Sequence, residues 1–169
     1  MTAARGSGDA WVECRCGRRH WGRFGAAGLL LTRSAPGTDG VARTEVLLQH
    51  RALWSDQGGT WGLPGGALHE HEDPVAGALR EAAEEAGVDA SGVAVSGTHV
   101  LDHGVWRYTT VIARVTGPQD PRPTDAESLE IAWVPLDDVP ARPLLVAFGA
   151  AWPALRGRLV GGPVADDNA

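Results

Sequence analysis

The chain has 169 residues, 43% of them hydrophobic and 21% charged, with a formal net charge of -6. Such a length and apolar share suit one domain with a real hydrophobic core and exclude a fibrous or wholly disordered chain. The negative balance argues against general nucleic-acid binding, which calls for a basic surface, but it leaves room for a small phosphorylated ligand held by local charge or a cation.

The stretch MTAARGSGDAWVE has no long apolar core and no cleavage-site pattern. The longest apolar run, FGAAGLLL, is too short to span a bilayer. No secretory signal and no membrane partner are therefore expected, and the default location is the cytoplasm. Residues 1–20 read as an N-terminal extension carrying a CxC motif, 21–160 as the main domain, and 161–169 as a flexible tail with too few apolar groups to offset ordering entropy. Within CRCGRRHWG, Cys14, Cys16 and His20 are residue types that bind zinc. A closed structural site usually has four ligands and no second cysteine pair exists, so two reduced thiols in an ordered turn are expected; His50 or His103 would be needed to complete a site.

Next in order, GRFGAAGLLLTR opens an apolar segment of strand length, SAPGTDGVAR has loop composition, and TEVLLQHR reads as a second strand, together a hairpin-like pair. SDQGGTWGLPGG is a loop with a short extended piece at Trp61 to Leu63. The clearest helix follows: Asp73 suits its N-cap, Pro74 its first position and Gly87 the left-handed residue past its end. GVAVSGTHVLDH and VWRYTTVIARVTG predict two strands joined at Asp102 to Gly104. PQDPRPTDAES is a loop, LEIAWVPL a strand, and PLLVAFGAAWPALRGRL a helix interrupted near Pro153. Strands on both sides of a central helix, with a second helix at the end, predict an α/β fold in which a mixed sheet lies between helices.

On the central helix, Glu81, Glu84 and Glu85 are related as i, i+3 and i+4 and so share a face, with Val75, Leu79, Ala82, Ala83 and Ala86 roughly opposite. Arg80 and Glu84 form a favourable i,i+4 pair, worth about 0.2–0.5 kcal/mol, but Glu81 and Glu85 repel by a similar amount. A solvated acidic face leaves that repulsion unexplained. A bound divalent cation reverses its sign, and carboxylate oxygens are the ligands magnesium prefers.

The segment from Gly66 to Val88 resembles the Nudix box, G-x5-E-x7-R-E-U-x-E-E-x-G-U with U aliphatic. Gly66, Glu72, Arg80, Glu81, Glu84, Glu85, Gly87 and Val88 occupy its glycine, charged and final aliphatic positions at matching spacing. Ala82 departs from the pattern, standing where a larger aliphatic is usual. TWGLPGG resembles the family's lead-in and ESLEIAWVPLDDV its late acidic loop and strand, so the resemblance extends over about Phe24 to Val139.

This resemblance implies a Nudix-type α/β/α sandwich with a central mixed β-sheet over 21–160. It also implies hydrolysis of the diphosphate linkage in a nucleoside diphosphate joined to another moiety, with magnesium as cofactor and manganese as a substitute. Carried over by motif, Glu81, Glu84, Glu85 and the carbonyl of Gly65 are metal ligands. Arg80 orients the cluster by pairing with Glu72 or a neighbouring carboxylate, and Glu127 is the first candidate for a further ligand or general base, with Glu130 the alternate.

Arg51 is a candidate phosphate contact and Trp54 a candidate base-stacking residue, each with an ordinary surface or packing role as its competitor. Trp61, Trp106 and Trp133 read as core or pocket wall. His69, His71 and His99 read as surface groups, and His103 is the one histidine to test as a base. The expected partner is a nucleotide-derived small molecule, on a monomer or homodimer. A non-catalytic nucleotide-sensing or interaction module on the same fold is the rival reading, which the intact carboxylate set disfavours. The choice among triphosphate, ADP-ribose, dinucleoside polyphosphate and capped-RNA substrates rests on the loops 53–60 and 118–128.

Overall fold

The structure, a computed structural model, describes residues 7–161. In chain order its elements are β1 (Trp11–Glu13), β2 (Arg19–Trp21), β3 (Ala26–Pro36), β4 (Ala42–Arg51), β5 (Trp61–Gly62), β6 (Gly65–Ala67), α1 (Pro74–Ala86), β7 (Val93–Asp102), β8 (Arg107–Val115), β9 (Ser128–Pro135) and α2 (Val146–Val160). Single 3-10 turns lie at Ala90–Gly92 and Leu136–Ala141.

Seven strands form one sheet in the order β5-β4-β3-β8-β7, with β6 also paired to β3 and β9 to β4. The β3–β8 pair is parallel and the other pairs are antiparallel, so the sheet is mixed, as expected. Its centre is buried on both faces, which explains why β3 reads as a continuous apolar run. Leu29 and Leu31 pack toward α1 with Ala78, Ala82, Ala86 and Val111, while Leu30, between them, packs toward α2 with Phe148, Trp152 and Leu155. The period-2 alternation of a strand thus feeds two cores and makes an α/β/α sandwich. Truncating any of these leucines to alanine would cost about 2–5 kcal/mol.

Asp73 caps α1 by accepting from the Val75 and Ala76 amides at 2.9 and 3.2 Å, and Gly87 ends it at φ 65°. Both punctuation marks were expected. Three details differ. The β3–β4 hairpin is longer than its loop composition suggests, because pairing continues to Pro36 and Ala42. Helix α2 runs unbroken through Pro153; burial of Phe148, Trp152 and Leu155 outweighs the one backbone hydrogen bond proline forfeits. On α1 the buried side includes Gly77, Ala78 and Glu85, whereas Ala83 is exposed.

Strands β1 and β2 form a separate two-stranded sheet, with Trp11 opposite Trp21 and Val12 opposite His20. The expected boundary between residues 20 and 21 falls inside β2. Of the expected tail, all but Gly161 lies outside the described residues. Among the described residues no helix is long and apolar enough to cross a membrane.

Candidate active site

Strand β6 delivers the chain to α1 and lays its backbone across the helix's acidic side. A Cβ on Gly66 would stand 2.7–2.8 Å from all three carboxyl atoms of Glu81, so only glycine lets that side chain lie against the strand. Arg80 binds the other groups together. Its Nε and Nη2 donate to the two oxygens of Glu72 at 2.7 and 3.0 Å, its Nη1 to Glu81 at 2.9 Å and Glu84 at 3.2 Å, and its Nη2 also to the carbonyl of Ala67 at 3.1 Å. The bidentate pair holds the Glu72 carboxyl down at about 2.

Glu85 is different in kind. Only 5% exposed, it has Oε2 accepting from the amide of Gly65 at 3.1 Å and from Gln49 Nε2 at 3.2 Å, and Gln49 also donates to Ser128 Oγ at 2.8 Å. Burial, reinforced by the charges of Glu81, Glu127 and Asp125 and opposed by the Gly65 hydrogen bond, pushes its carboxyl up to about 9. Glu81 is also raised, first by burial, against the pull of Arg80. Thus the i, i+3, i+4 spacing does not make one exposed acidic face: the Glu84 side chain is 57% exposed and Glu85 is buried beneath β6.

The loop before β9 brings in more negative charge. Its backbone satisfies the free carbonyls at the end of α1, with Arg122 N–H donating to Ala86 O at 3.0 Å, Thr124 N–H to Glu85 O at 3.2 Å, and the Thr124 hydroxyl to Glu84 O. Thus anchored, the loop places Asp125 and Glu127 so that their carboxylate oxygens and one of Glu85 lie within 4.8 Å of one another. A cavity of about 740 Å³ opens over them; its lining includes Gly65, Arg80, Glu81, Glu84, Glu85 and Glu127 together with Arg51 and Trp54. Arg51 follows a register shift at the end of β4, which re-aims it, and its Nε donates to the carbonyl of Asp56 at 3.0 Å. Trp54 is 69% exposed at the cavity mouth.

A NUDIX domain model matches residues 25–153. The chain belongs to the Nudix family. It is 51% identical over 154 residues to a nucleoside triphosphate pyrophosphatase/Nudix hydrolase fusion protein of Bifidobacterium longum, covering 90% of this chain and 32% of that protein. The chain therefore spans about a third of that relative. It is 49% identical over 158 residues to a Mycobacterium tuberculosis protein named "Putative 8-oxo-dGTP diphosphatase 3", covering 90% and 70% respectively. Among solved structures, the Nudix hydrolase RenU of M. smegmatis superposes with a TM-score of 0.80 at 46% identity, over 94% of this chain and 99% of that one.

Within this Nudix domain, the structure gathers Gly65, Arg80, Glu81, Glu84, Glu85 and Glu127 around one cavity, and Glu72 stands behind Arg80. Glu130 is not among the cavity residues; it sits on β9 opposite His50 of β4. His103 does not face the carboxylates: its Nδ1 lies 3.4 Å from Cys14 Sγ. Trp61 is buried and stacked on His50, Trp106 forms cavity wall just before β8, and Trp133 is half-buried beneath Arg33. His99 lines the cavity rather than only the surface.

Sequence reasoning missed two residues. Asp125 had a weak signal, an acid two positions before Glu127 in the same loop. Gln49 had a subtler one, an amide at the end of the apolar run VLLQ, where a buried polar group must find a partner.

Proposed function

We propose that this chain cleaves the diphosphate linkage of a nucleoside triphosphate of the 8-oxo-dGTP class, using magnesium held by Glu81, Glu84, Glu85 and Glu127 together with the carbonyl of Gly65. Manganese, equally at home among carboxylates, can substitute. The observation that carries the reading is the approach of the Glu85, Asp125 and Glu127 carboxylate oxygens to within 4.8 Å of one another, in a cavity of about 740 Å³ that Glu81 and Glu84 also line. Burial, reinforced by repulsion from neighbouring carboxylates, pushes the Glu85 carboxyl up to about 9, and a hard divalent ion is the partner that such a donor set fits. When bound, magnesium offsets charge on the diphosphate and acidifies a water molecule.

The chain's own residues supply the rest. Arg80, fixed by Glu72, aims Glu81 and Glu84 and keeps them from splaying apart. Glu127 carries no ion pair to an arginine among the described residues, which leaves its oxygens free to take a proton from the attacking water. Arg51, in the same cavity lining, meets the phosphates, and Trp54 offers an aromatic plane to the base. The choice of an oxidised guanine nucleotide rests on the name carried by the mycobacterial relative. The test is a magnesium-dependent release assay over 8-oxo-dGTP, dGTP, ADP-ribose and a diadenosine polyphosphate, with both products identified by mass. The highest kcat/KM is expected for 8-oxo-dGTP; a preference for ADP-ribose or the dinucleotide would replace the substrate assignment.

A further inference from the structure

We propose that Cys14, Cys16, His20 and His103 form a structural zinc site that fastens the N-terminal hairpin to the turn between β7 and β8. The site is separate from the carboxylate cluster and does not depend on the reaction proposed above.

One thiolate or imidazole atom from each of the four residues lies within 4.8 Å of the others. Cys14 Sγ is 3.4 Å from His103 Nδ1, and Cys16 Sγ is 3.2 Å from His20 Nε2. A tetrahedral ion with bonds of about 2.3 Å to sulfur and about 2.0–2.1 Å to nitrogen separates its sulfur and nitrogen ligands by about 3.5 Å. The two measured edges are close to that value. A thiol–imidazole hydrogen bond would account for either pair alone, but all four ligand atoms lie within 4.8 Å of one another, with His103 brought in from 89 residues away.

The local structure prepares the ligands. Between β1 and β2 the chain turns tightly, with Gly17 N–H donating to Cys14 O at 3.1 Å and Cys14 N–H to Arg18 O at 3.0 Å. Gly17 adopts φ 83°, a conformation that favours glycine. The amide of Cys16 points at Cys14 Sγ at 3.4 Å, which fixes the sulfur within the turn. His20 stacks on Trp106 at 4.2 Å and stands at 84° to the His103 ring, so the two imidazoles present nitrogens to a common centre rather than lying flat on each other. Two thiolates and two neutral imidazoles balance the charge of a zinc ion and close its coordination, which marks a structural rather than a catalytic site. Sulfur ligands also select zinc over the magnesium that suits the carboxylates.

The hairpin needs such a tie. Its strands have three residues each, and a two-stranded sheet of that size is marginal alone. Among the described residues no strand pairing joins it to the main sheet; the Trp106 indole donates to Trp21 O at 3.1 Å. Yet Trp11, Arg19, His20 and Trp21 all line the cavity above the carboxylates. The zinc therefore holds one wall of that cavity in place. Of the two histidines that could complete a site, His103 lies beside the thiols, whereas His50 stacks on Trp61.

The test uses the full chain, expressed with zinc in the medium and purified without chelator under reducing conditions. Elemental analysis is expected to find one zinc per chain, lost in Cys14→Ser/Cys16→Ser and reduced in His103→Asn. Cobalt added to the zinc-free reduced wild type is expected to give the strong visible bands of a tetrahedral ion together with thiolate charge transfer, a readout that stands even if a variant fails to fold. Failure of the wild type to retain or take up zinc, an octahedral cobalt spectrum, or equal zinc in the wild type and the double cysteine variant would each overturn the proposal.

Discussion

Glu85→Gln replaces a buried titratable carboxyl by a neutral amide with little change in shape, and its effect on stability depends on pH. Oε2 of Glu85 accepts from Gly65 N–H at 3.1 Å and from Gln49 Nε2 at 3.2 Å. A glutamine retains that acceptor and can turn its amide nitrogen toward Asp125 or Glu127, replacing repulsion by a hydrogen bond. In the metal-free folded protein the carboxyl of Glu85 is raised from 4.5 to about 9. Across that window the folded state keeps a proton that the unfolded chain has released, so metal-free stability falls as pH rises. At about 1.4 kcal/mol per pH unit above the ordinary value, the loss at pH 7 is at most about 3.5 kcal/mol, and water penetration lowers it.

A domain of this size gains about 2–4 °C in Tm per kcal/mol. Glu85→Gln in chelator should therefore melt several degrees above the wild type at pH 8, and with it at pH 4, where both carry a neutral group. Turnover with magnesium should fall at least about a hundredfold in the same variant. Differential scanning calorimetry at the two pH values decides the matter. A stability difference independent of pH, or a variant less stable at pH 8, would refute the account of Glu85 as a buried charge awaiting a cation.

Magnesium at a hundredfold excess over its Kd should stabilise the wild type by about 2.7 kcal/mol, and much less in Glu84→Gln; an equal Tm shift from sodium chloride at matched ionic strength would reduce the effect to screening. Glu72→Gln should lower kcat by about tenfold, less than loss of a ligand, because Arg80 keeps its contacts to Glu81 and Glu84. Since Arg80 depresses the Glu72 carboxyl to about 2, Glu72 contributes stability that is present above pH 4.5 and lost as pH falls toward 2; acid titration of the variant should show a shallower decline over that range. Arg51→Ala should raise KM by about tenfold or more through loss of a charged hydrogen bond, read from initial rates, with the metal-induced Tm shift unchanged.

Local signals carried much of this structure. The cap at Asp73, the stop at Gly87 and the spacing of the glutamates depend on residues within one helix, and all three can be read along the chain. The apolar run of β3 announced a strand, although not that it is buried on both faces or which leucine serves which core. What could not be read depends on contacts distant in sequence. Helical spacing puts Glu85 beside Glu81, but its burial requires β6 to lie across it. The proximity of Cys14 and His103 depends on a hairpin docking against a turn 89 residues later. Pro153 argued locally for a break, and the packing of Phe148 and Trp152 on the sheet overrode it.

The central claim is that these carboxylates, through a bound cation, perform hydrolysis at a diphosphate. It is tested most directly by following 8-oxo-dGTP with the wild type and with Glu84→Gln, in magnesium and in chelator, and identifying the products by mass. The account predicts nucleoside monophosphate and pyrophosphate from the wild type in magnesium, no turnover in chelator, and a rate at least about a hundredfold lower in the variant. Equal rates in wild type and variant, or hydrolysis that persists in chelator, would contradict it.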